Sequence, residues 1–287
     1  MAEDKRGNII ELDLAGLSKT GVALVEKISA AIGGVYKPYQ IRRIASAKAD
    51  ADIIAAEAKI RVEALQRRAM HRFLEEEALR QNNIEAITQM ALPLLSKNAA
   101  PDKVEDDWIV NFFEKARSVS NEEMQALWAK VLSAQADQPG SFSRRTVNLV
   151  SDLDRSDAEL FSKLCEYCWS IGSDIVPLIF DFNAQIYAEN GINYSAIIHL
   201  ESLGLIKFQD ISGFDFQGLP KAFLVHYYGR PMSLEMQSDE SNRLRVGKVL
   251  LTRAGRELAP ICGSGPIGGF FEYVAGQWKA HLTESKS

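Results

Sequence analysis

Apolar positions follow a helical period over a long stretch that contains no glycine or proline, from Tyr39 to Leu92. Steps of four and three residues from Ile44 reach mainly alanine. Such a heptad-like seam is typical of helices that pack side by side, and its small side chains let the helices approach closely. The pattern predicts one long Ala-rich helix over residues 38–98, with an oligomer interface at Ile44, Ala51, Ala55, Ala58, Val62, Leu65 and Ala69.

The sequence leaves alternatives open for this helix. Asparagine is a poor helix former, so a break near Gln81-Asn82-Asn83 is one alternative to a continuous helix. The outer face mixes Arg and Lys with Asp and Glu, which is typical of a solvated face with ion pairs. A nucleic-acid-binding stripe is the alternative interpretation of these charges, and a fold-back within one chain is the rival to contact between subunits.

A shorter amphipathic helix is predicted within residues 1–37. Ser18 is a candidate N-cap, and Gly33-Gly34 would end the helix. Its polar side carries both signs of charge, so we expect the apolar side to pack against protein, with membrane contact as the alternative. The apolar side consists of Leu17, Leu24, Val25, Ile28 and Ile32.

Residues 99–170 predict a compact domain of short helices. Ser120 and Glu123 have the spacing of a capping box in front of an apolar stripe. Asp154 begins a second capping sequence, from which a helix is expected to continue to Trp169. Loops that contain proline and glycine separate these segments.

Residues 171–287 mix helix with strand. A helix is predicted at 193–203, and alternation between Phe214 and Met236 predicts a hairpin or small sheet. A strand and another helix follow. This order resembles a winged-helix module, on the basis of Leu200, Leu203, Gly204, Leu205, Ile206, Leu251, Thr252, Gly255 and Leu258.

The segment in the recognition-helix position of that module, 193–203, has no Lys or Arg and contains Glu201. Readers of DNA use Arg, Lys, Asn and Gln for phosphates and base edges. The module is therefore expected to bind protein or only to build the fold. The predicted fold class is mainly α with a smaller α+β part: a long N-terminal coiled-coil-like helix, a central helical domain and a C-terminal winged-helix-like domain.

Charge and cysteine content narrow the function classes. The net charge is −5; residues 1–150 carry 21 basic and 21 acidic side chains, and residues 151–287 carry 12 and 17. This balance argues against bulk attraction to nucleic acid. Three cysteines do not suggest a disulfide framework, and the polar N-terminus is not typical of a secretory signal. No apolar run approaches the roughly 20 residues of a membrane span, so a cytoplasmic protein is expected.

Few residues have the types and spacing of a catalytic, metal or ligand site. Cys165 and Cys168 could form half a zinc site with Cys262 and His199, but their apolar helical setting favours structural cysteines. The glycines of 263–269 do not match a phosphate-loop spacing. The polar-aromatic cluster of His226, Tyr228 and Arg230 is the candidate ligand or partner site. We expect no catalytic residue, no metal site and no cofactor.

Several segments together resemble an uncharacterised bacterial domain-of-unknown-function family: AIGGVYKPYQIRRIASAKADA, NNIEAI, DDWIVNFFEKARSVSNEEMQALWAKVLSAQ, PGSFSRRTVNLVSDLDRSDAELF and GKVLLTRAGRELAPIC. The middle block is also similar to the Abi-alpha family of abortive-infection proteins. That similarity consists of helical core residues, so it implies shared fold and a phage-defence context, and no catalytic residue.

These observations predict a non-enzymatic assembly protein in antiviral defence that forms a homo-oligomer through the Ala-rich helix. A protein partner or phage component is expected at the C-terminal domain. One alternative is a winged-helix DNA-binding regulator, although nucleic acid is the less favoured partner. The other is a peripheral membrane protein that acts through residues 14–35.

Overall fold

The computed structural model describes residues 17–33 and 64–282, which form two compact units that divide between Ser151 and Asp152. Helices predominate, and the strands form small antiparallel sheets. The prediction of a mainly α chain with a smaller α+β part is therefore confirmed. The finer division into four domains stays a prediction.

The first unit has five α-helices among its described residues. They are α1 (Lys19–Ile32), α2 (Ala64–Ala91), α3 (Asp106–Ala116), α4 (Glu122–Asp137) and α5 (Arg144–Ser151), with 3-10 turns at Leu92–Leu94 and Pro101–Lys103. Helix α1 packs against α3, α2 against α4, and α3 against α5. Trp108, Phe112 and Trp128 form its aromatic centre, with successive ring centroids 5.0 Å apart.

Helix α1 has the boundaries that its sequence predicts. The Ser18 hydroxyl accepts a hydrogen bond from the Gly21 N–H at 3.1 Å, and Gly33 ends the helix with a φ of 75°. Leu24, Val25 and Ile28 are buried. Protein therefore covers the apolar side of the helix.

Helix α2 runs without interruption through Gln81 and Asn83, so the alternative of a break there is wrong. The buried Asn83 amide donates hydrogen bonds to the Arg117 carbonyl at 3.0 Å and to Ser120 Oγ at 3.2 Å, and it accepts one from Gln125 Nε2 at 3.1 Å. These contacts offset the poor helix propensity of asparagine. Ile44, Ala51, Ala55, Ala58 and Val62 of the predicted interface lie outside the described residues.

The cap of α4 is one residue later than predicted. Asn121, not Ser120, is the N-cap, and its side chain accepts from the Met124 N–H at 3.0 Å. Ser120 Oγ is instead the acceptor for Asn83. The capping prediction for Ser120 is wrong because a long-range partner takes its hydroxyl.

The second unit alternates short helices and strands. Its helices are α6 (Arg155–Cys165), α7 (Gln185–Ala188), α8 (Tyr194–Ser202), α9 (Arg253–Leu258) and α10 (Phe270–Gln277), with 3-10 turns at Ala259–Ile261 and Lys279–His281. Its strands are β1 (Cys168–Ile171), β2 (Asp174–Pro177), β3 (Ile206–Phe208), β4 (Phe214–Leu219), β5 (Ala222–Tyr227), β6 (Arg230–Glu235), β7 (Asn242–Gly247) and β8 (Val249–Leu251).

Three antiparallel sheets result, with strand orders β2-β1-β5-β6, β3-β8 and β4-β7. The predicted cap at Asp154 is confirmed, and it forms a capping box with Asp157. The helix after it ends at Cys165, so its predicted continuation to Trp169 is wrong. Residues from Cys168 pair with β2 and β5 instead.

Aromatic rings fill the core of the second unit. Trp169 stacks on Tyr227 with centroids 5.2 Å apart, and Tyr167 meets Phe270 edge to face at 4.9 Å. Among the described helices, none is long and apolar enough to cross a membrane.

Candidate functional site

Helix α2 has one half in the core of its unit and one half exposed. Ile84, Ile87 and Ala91 are buried in the second half. In the first half, residues 65–79, every side chain is exposed. We call this half the exposed helix surface; its large apolar side chains are 44% to 65% exposed and comprise Leu65, Met70, Phe73, Leu74 and Leu79.

Charged side chains on this surface pair along the helix. His71 lies 3.3 Å from Glu75, Arg72 lies 3.3 Å from Glu76, and Arg80 lies 3.2 Å from Glu77. Pairs at this spacing favour the helical state by a few tenths of a kcal/mol each. The apolar side chains between them contribute little to the core, so their burial requires another surface.

The structure describes only part of the predicted seam. Leu65 and Ala69 lie on the exposed helix surface, and Phe73 continues their row by one turn. Met70 and Leu74 form a second row about 100° further around the helix. The sequence analysis missed this second row, although apolar residues at 70, 73 and 74 have the helical spacing that could have revealed it.

The candidate cluster of His226, Tyr228 and Arg230 lies at the β5–β6 hairpin. The Arg230 guanidinium lies 3.5 Å from the centroid of the Phe271 ring and 2.7 Å from a Glu272 carboxylate oxygen. These two contacts attach α10 to the hairpin. A ligand role for Arg230 stays a prediction, since both contacts are internal.

Tyr228 also has internal partners. Its hydroxyl lies 3.0 Å from the Cys165 carbonyl and 2.7 Å from Ser264 Oγ. Burial raises the pKa of Tyr228, so the hydroxyl stays protonated and able to donate. His226 is the penultimate residue of β5, opposite Ser170 and Pro231 in the strand register.

The three cysteines converge in the second unit. The thiols of Cys165, Cys168 and Cys262 lie close enough to influence one another, and the Cys262 thiol donates a hydrogen bond to the Ala259 carbonyl at 3.1 Å. The contact with Cys168, together with burial, raises the pKa of Cys165, and the contact with Cys165, again with burial, raises that of Cys262. Thiols held protonated in this way are poor nucleophiles.

His199, the fourth candidate ligand of the zinc alternative, has an acidic partner on α6. The His199 ring nitrogen lies 2.7 Å from an Asp157 carboxylate oxygen, in a contact that joins α6 to α8. Among residues 17–33 and 64–282, no group of three or more His, Cys, Asp or Glu side chains is arranged to hold a metal ion.

A cleft of about 430 Å³ lies in the second unit, and we call it the aromatic cleft. Strand β7 places Arg245 on its exposed face, and α10 places Tyr273 and Gln277 one turn apart. The ring centroids of Phe180 and Trp278 are 6.2 Å apart. The complete lining is Phe180, Asp181, Arg245, Tyr273, Gln277 and Trp278.

The sequence analysis did not identify this cleft. Its residues come from three segments far apart in the chain, so no local spacing connects them. The aromatic residues of the 270–278 segment were the one available signal.

Fold and surfaces together define a mainly helical protein of two compact units with an exposed helix surface. Residues 67–275 match the family described as protein of unknown function (DUF2806), and the chain belongs to that family. This match confirms the resemblance to an uncharacterised domain-of-unknown-function family, while the similarity to Abi-alpha stays a prediction. No curated protein and no solved structure matches the chain.

Proposed function

We propose that this protein is a non-enzymatic assembly protein that self-associates through its Ala-rich helix. The observation that carries the proposal is the exposed helix surface, where five large apolar side chains lie outside the core of their own unit. Burying apolar surface gains about 25 cal/mol per Å². A second helix packed along this surface would supply that burial.

The order of charges supports a second copy of the chain as the partner. Basic Arg67, Arg68 and Arg72 precede the acidic run 75–77. Two copies that pack antiparallel would place the basic stretch of each beside the acidic run of the other. A two-fold interface of this kind needs one self-complementary surface.

Light scattering at micromolar protein tests the proposal. The wild-type chain should have the mass of an oligomer, and Phe73→Glu should shift it toward the monomer because a buried unpaired charge is costly. Gln89→Glu is the matched control, since it adds the same charge to an exposed position of the same helix outside the surface. A monomeric wild type, or equal masses for all three chains, would contradict self-association.

The C-terminal unit is proposed to recognise a partner protein through a winged-helix-like arrangement. The order α8, β3, strands β4 to β7, β8 and α9, with β3 paired to β8, supports this assignment. The absence of Lys and Arg from α8 favours protein over DNA. Salt-dependent binding to duplex DNA at low ionic strength would instead support a DNA-binding regulator.

A cytoplasmic role in antiviral defence is part of the proposal, and it rests on the resemblance of the middle block to Abi-alpha proteins. Phage challenge of cells with and without the chain tests it, with Phe73→Glu as the assembly-deficient comparison. The membrane alternative is less favoured, because the apolar side of α1 is buried. Flotation of the chain with liposomes would instead support the membrane alternative.

A further inference from the structure

The aromatic cleft brings together two opposite charges that do not pair with each other. Within residues 64–282, neither Asp181 nor Arg245 takes part in an ion pair. Asp181 Oδ1 accepts two hydrogen bonds from Asn183, at 3.0 Å from the backbone N–H and 3.2 Å from the amide. The cleft therefore offers the Asp181 carboxylate, which can accept hydrogen bonds from a cation, and the Arg245 guanidinium, which can donate to an anion.

Apart from Asp181 and Arg245, the lining of the aromatic cleft is uncharged and mainly aromatic. The Trp278 indole N–H donates to the Arg245 carbonyl at 2.9 Å, and the Tyr273 ring meets the Tyr187 ring edge to face with centroids 5.6 Å apart. Burial, followed by the nearby charge of Asp181, raises the pKa of Tyr273. The polar tip of Trp278 thus has an internal partner, and the Tyr273 hydroxyl stays uncharged, which leaves both rings as neutral walls of the cleft.

A further carboxylate decides between ligand classes. Asp215 stands directly opposite Arg245 in the β4–β7 register. The carboxylates of Asp215, on the neighbouring strand, and Asp181, in the lining, disfavour a ligand that carries only a carboxylate. They favour a ligand that also carries a positive group.

We propose that the aromatic cleft binds a zwitterionic amino acid with an apolar side chain. Its carboxylate lies against the Arg245 guanidinium, in the paired geometry that guanidinium and carboxylate favour. Its ammonium group lies at Asp181, and its side chain packs on Phe180 and Tyr273. The cleft volume of about 430 Å³ falls in the range of small-molecule sites, which runs from roughly 300 to 1,000 Å³.

Asp181 and Arg245 are exposed, so water solvates both of them before a ligand arrives. Each contact then exchanges solvation for a charge-assisted hydrogen bond, with a modest net gain. The expected dissociation constant is therefore on the order of 0.1 to 1 mM. The site lies entirely in the second unit and does not depend on self-association through α2.

Calorimetric titration of the full chain with L-phenylalanine tests the inference. Two analogues each lack one charge: phenylpropanoate lacks the ammonium group, and phenylethylamine lacks the carboxylate. L-phenylalanine should bind saturably, and each analogue should bind at least about tenfold more weakly. Absence of saturable binding by L-phenylalanine, or equal binding by either analogue, would overturn the proposal.

Variants assign the binding to the cleft. Arg245→Gln and Asp181→Asn should each weaken binding about tenfold, whereas Arg243→Gln should not. Arg243 lies on the same strand with the same charge and does not line the cleft, so it is the matched control. Thermal unfolding of each variant verifies the fold. Equal affinity in all three folded variants would place the ligand elsewhere and refute the assignment.

Discussion

At the scale of single residues, Gly247 has no tolerance for a side chain. Its φ is 106°, and a Cβ at this position would overlap the carbonyl of Ile179, which accepts a hydrogen bond from the Lys248 N–H at 2.7 Å. Gly247→Ala should therefore lower the free energy of unfolding by about 2–4 kcal/mol, as measured by urea denaturation.

Gly218→Ala is the matched control for this prediction. Gly218 also has a positive φ, of 74°, but a Cβ there would meet open space. Gly218→Ala should lower the free energy of unfolding by about 1 kcal/mol, through backbone strain alone. The additional loss in Gly247→Ala then measures the steric overlap with Ile179. If the two substitutions are equally destabilising, the approach of Gly247 to Ile179 is not a constraint on the fold.

Residues whose partners are near in sequence were predictable, and residues with distant partners were not. Ser18 and Asp154 cap their helices as expected, because a cap depends on the next three residues. The helix propensity of asparagine allows a break near Asn83, and the partners that keep this residue in the helix lie 34 to 42 residues away, where no local pattern reveals them. Ser120 was misassigned for the same reason.

At the scale of elements, the capping box of α6 makes stability depend on pH. Hydrogen bonds from the Ser156 hydroxyl at 2.7 Å and the Asp157 N–H at 3.1 Å lower the pKa of Asp154. A depressed folded-state pKa stabilises the protein above the unfolded value of about 3.9, and that contribution is lost as pH falls through the folded value. The relevant window is therefore acidic.

Asp154→Asn should show this dependence, since asparagine keeps the cap but not the charge. Its urea midpoint should lie below that of the wild type at about pH 7, and the difference should shrink as the pH falls below the unfolded-state pKa of about 3.9. Glu240→Gln is the control, because it makes the same change from carboxylate to amide at an exposed position outside any helix cap. A difference for Asp154→Asn that does not vary with pH would show that the charge does not contribute to the cap.

The type of an element, helix or strand, was predictable where the hydrophobic period extended clearly over many residues. The helical period gave α1, the described part of the long helix and α8, each with the right type. The apolar run LFSKLCEYCW was ambiguous, since a short run fits both helix and buried strand, and its second half is β1. For α2, the period identifies the apolar rows. It does not say whether the same chain covers them.

At the scale of the whole molecule, the two candidate surfaces belong to different units. The exposed helix surface is on a helix of the first unit, and the aromatic cleft lies wholly in the second. The sequence could indicate the first surface, because one helix carries it. It could not indicate the second, because the register of β7 and the packing of α10 bring the lining together.

This separation predicts the behaviour of residues 152–287 expressed alone. The fragment contains its own aromatic core, including Trp169, Tyr187 and Phe270, so it should fold and unfold in one cooperative transition. It should be monomeric by light scattering at concentrations where the full chain is an oligomer, and it should bind L-phenylalanine as the full chain does. Circular dichroism and calorimetry measure the fold and the binding. An unfolded fragment would refute the division at Ser151, and a folded fragment that still forms the oligomer would place the interface outside the Ala-rich helix.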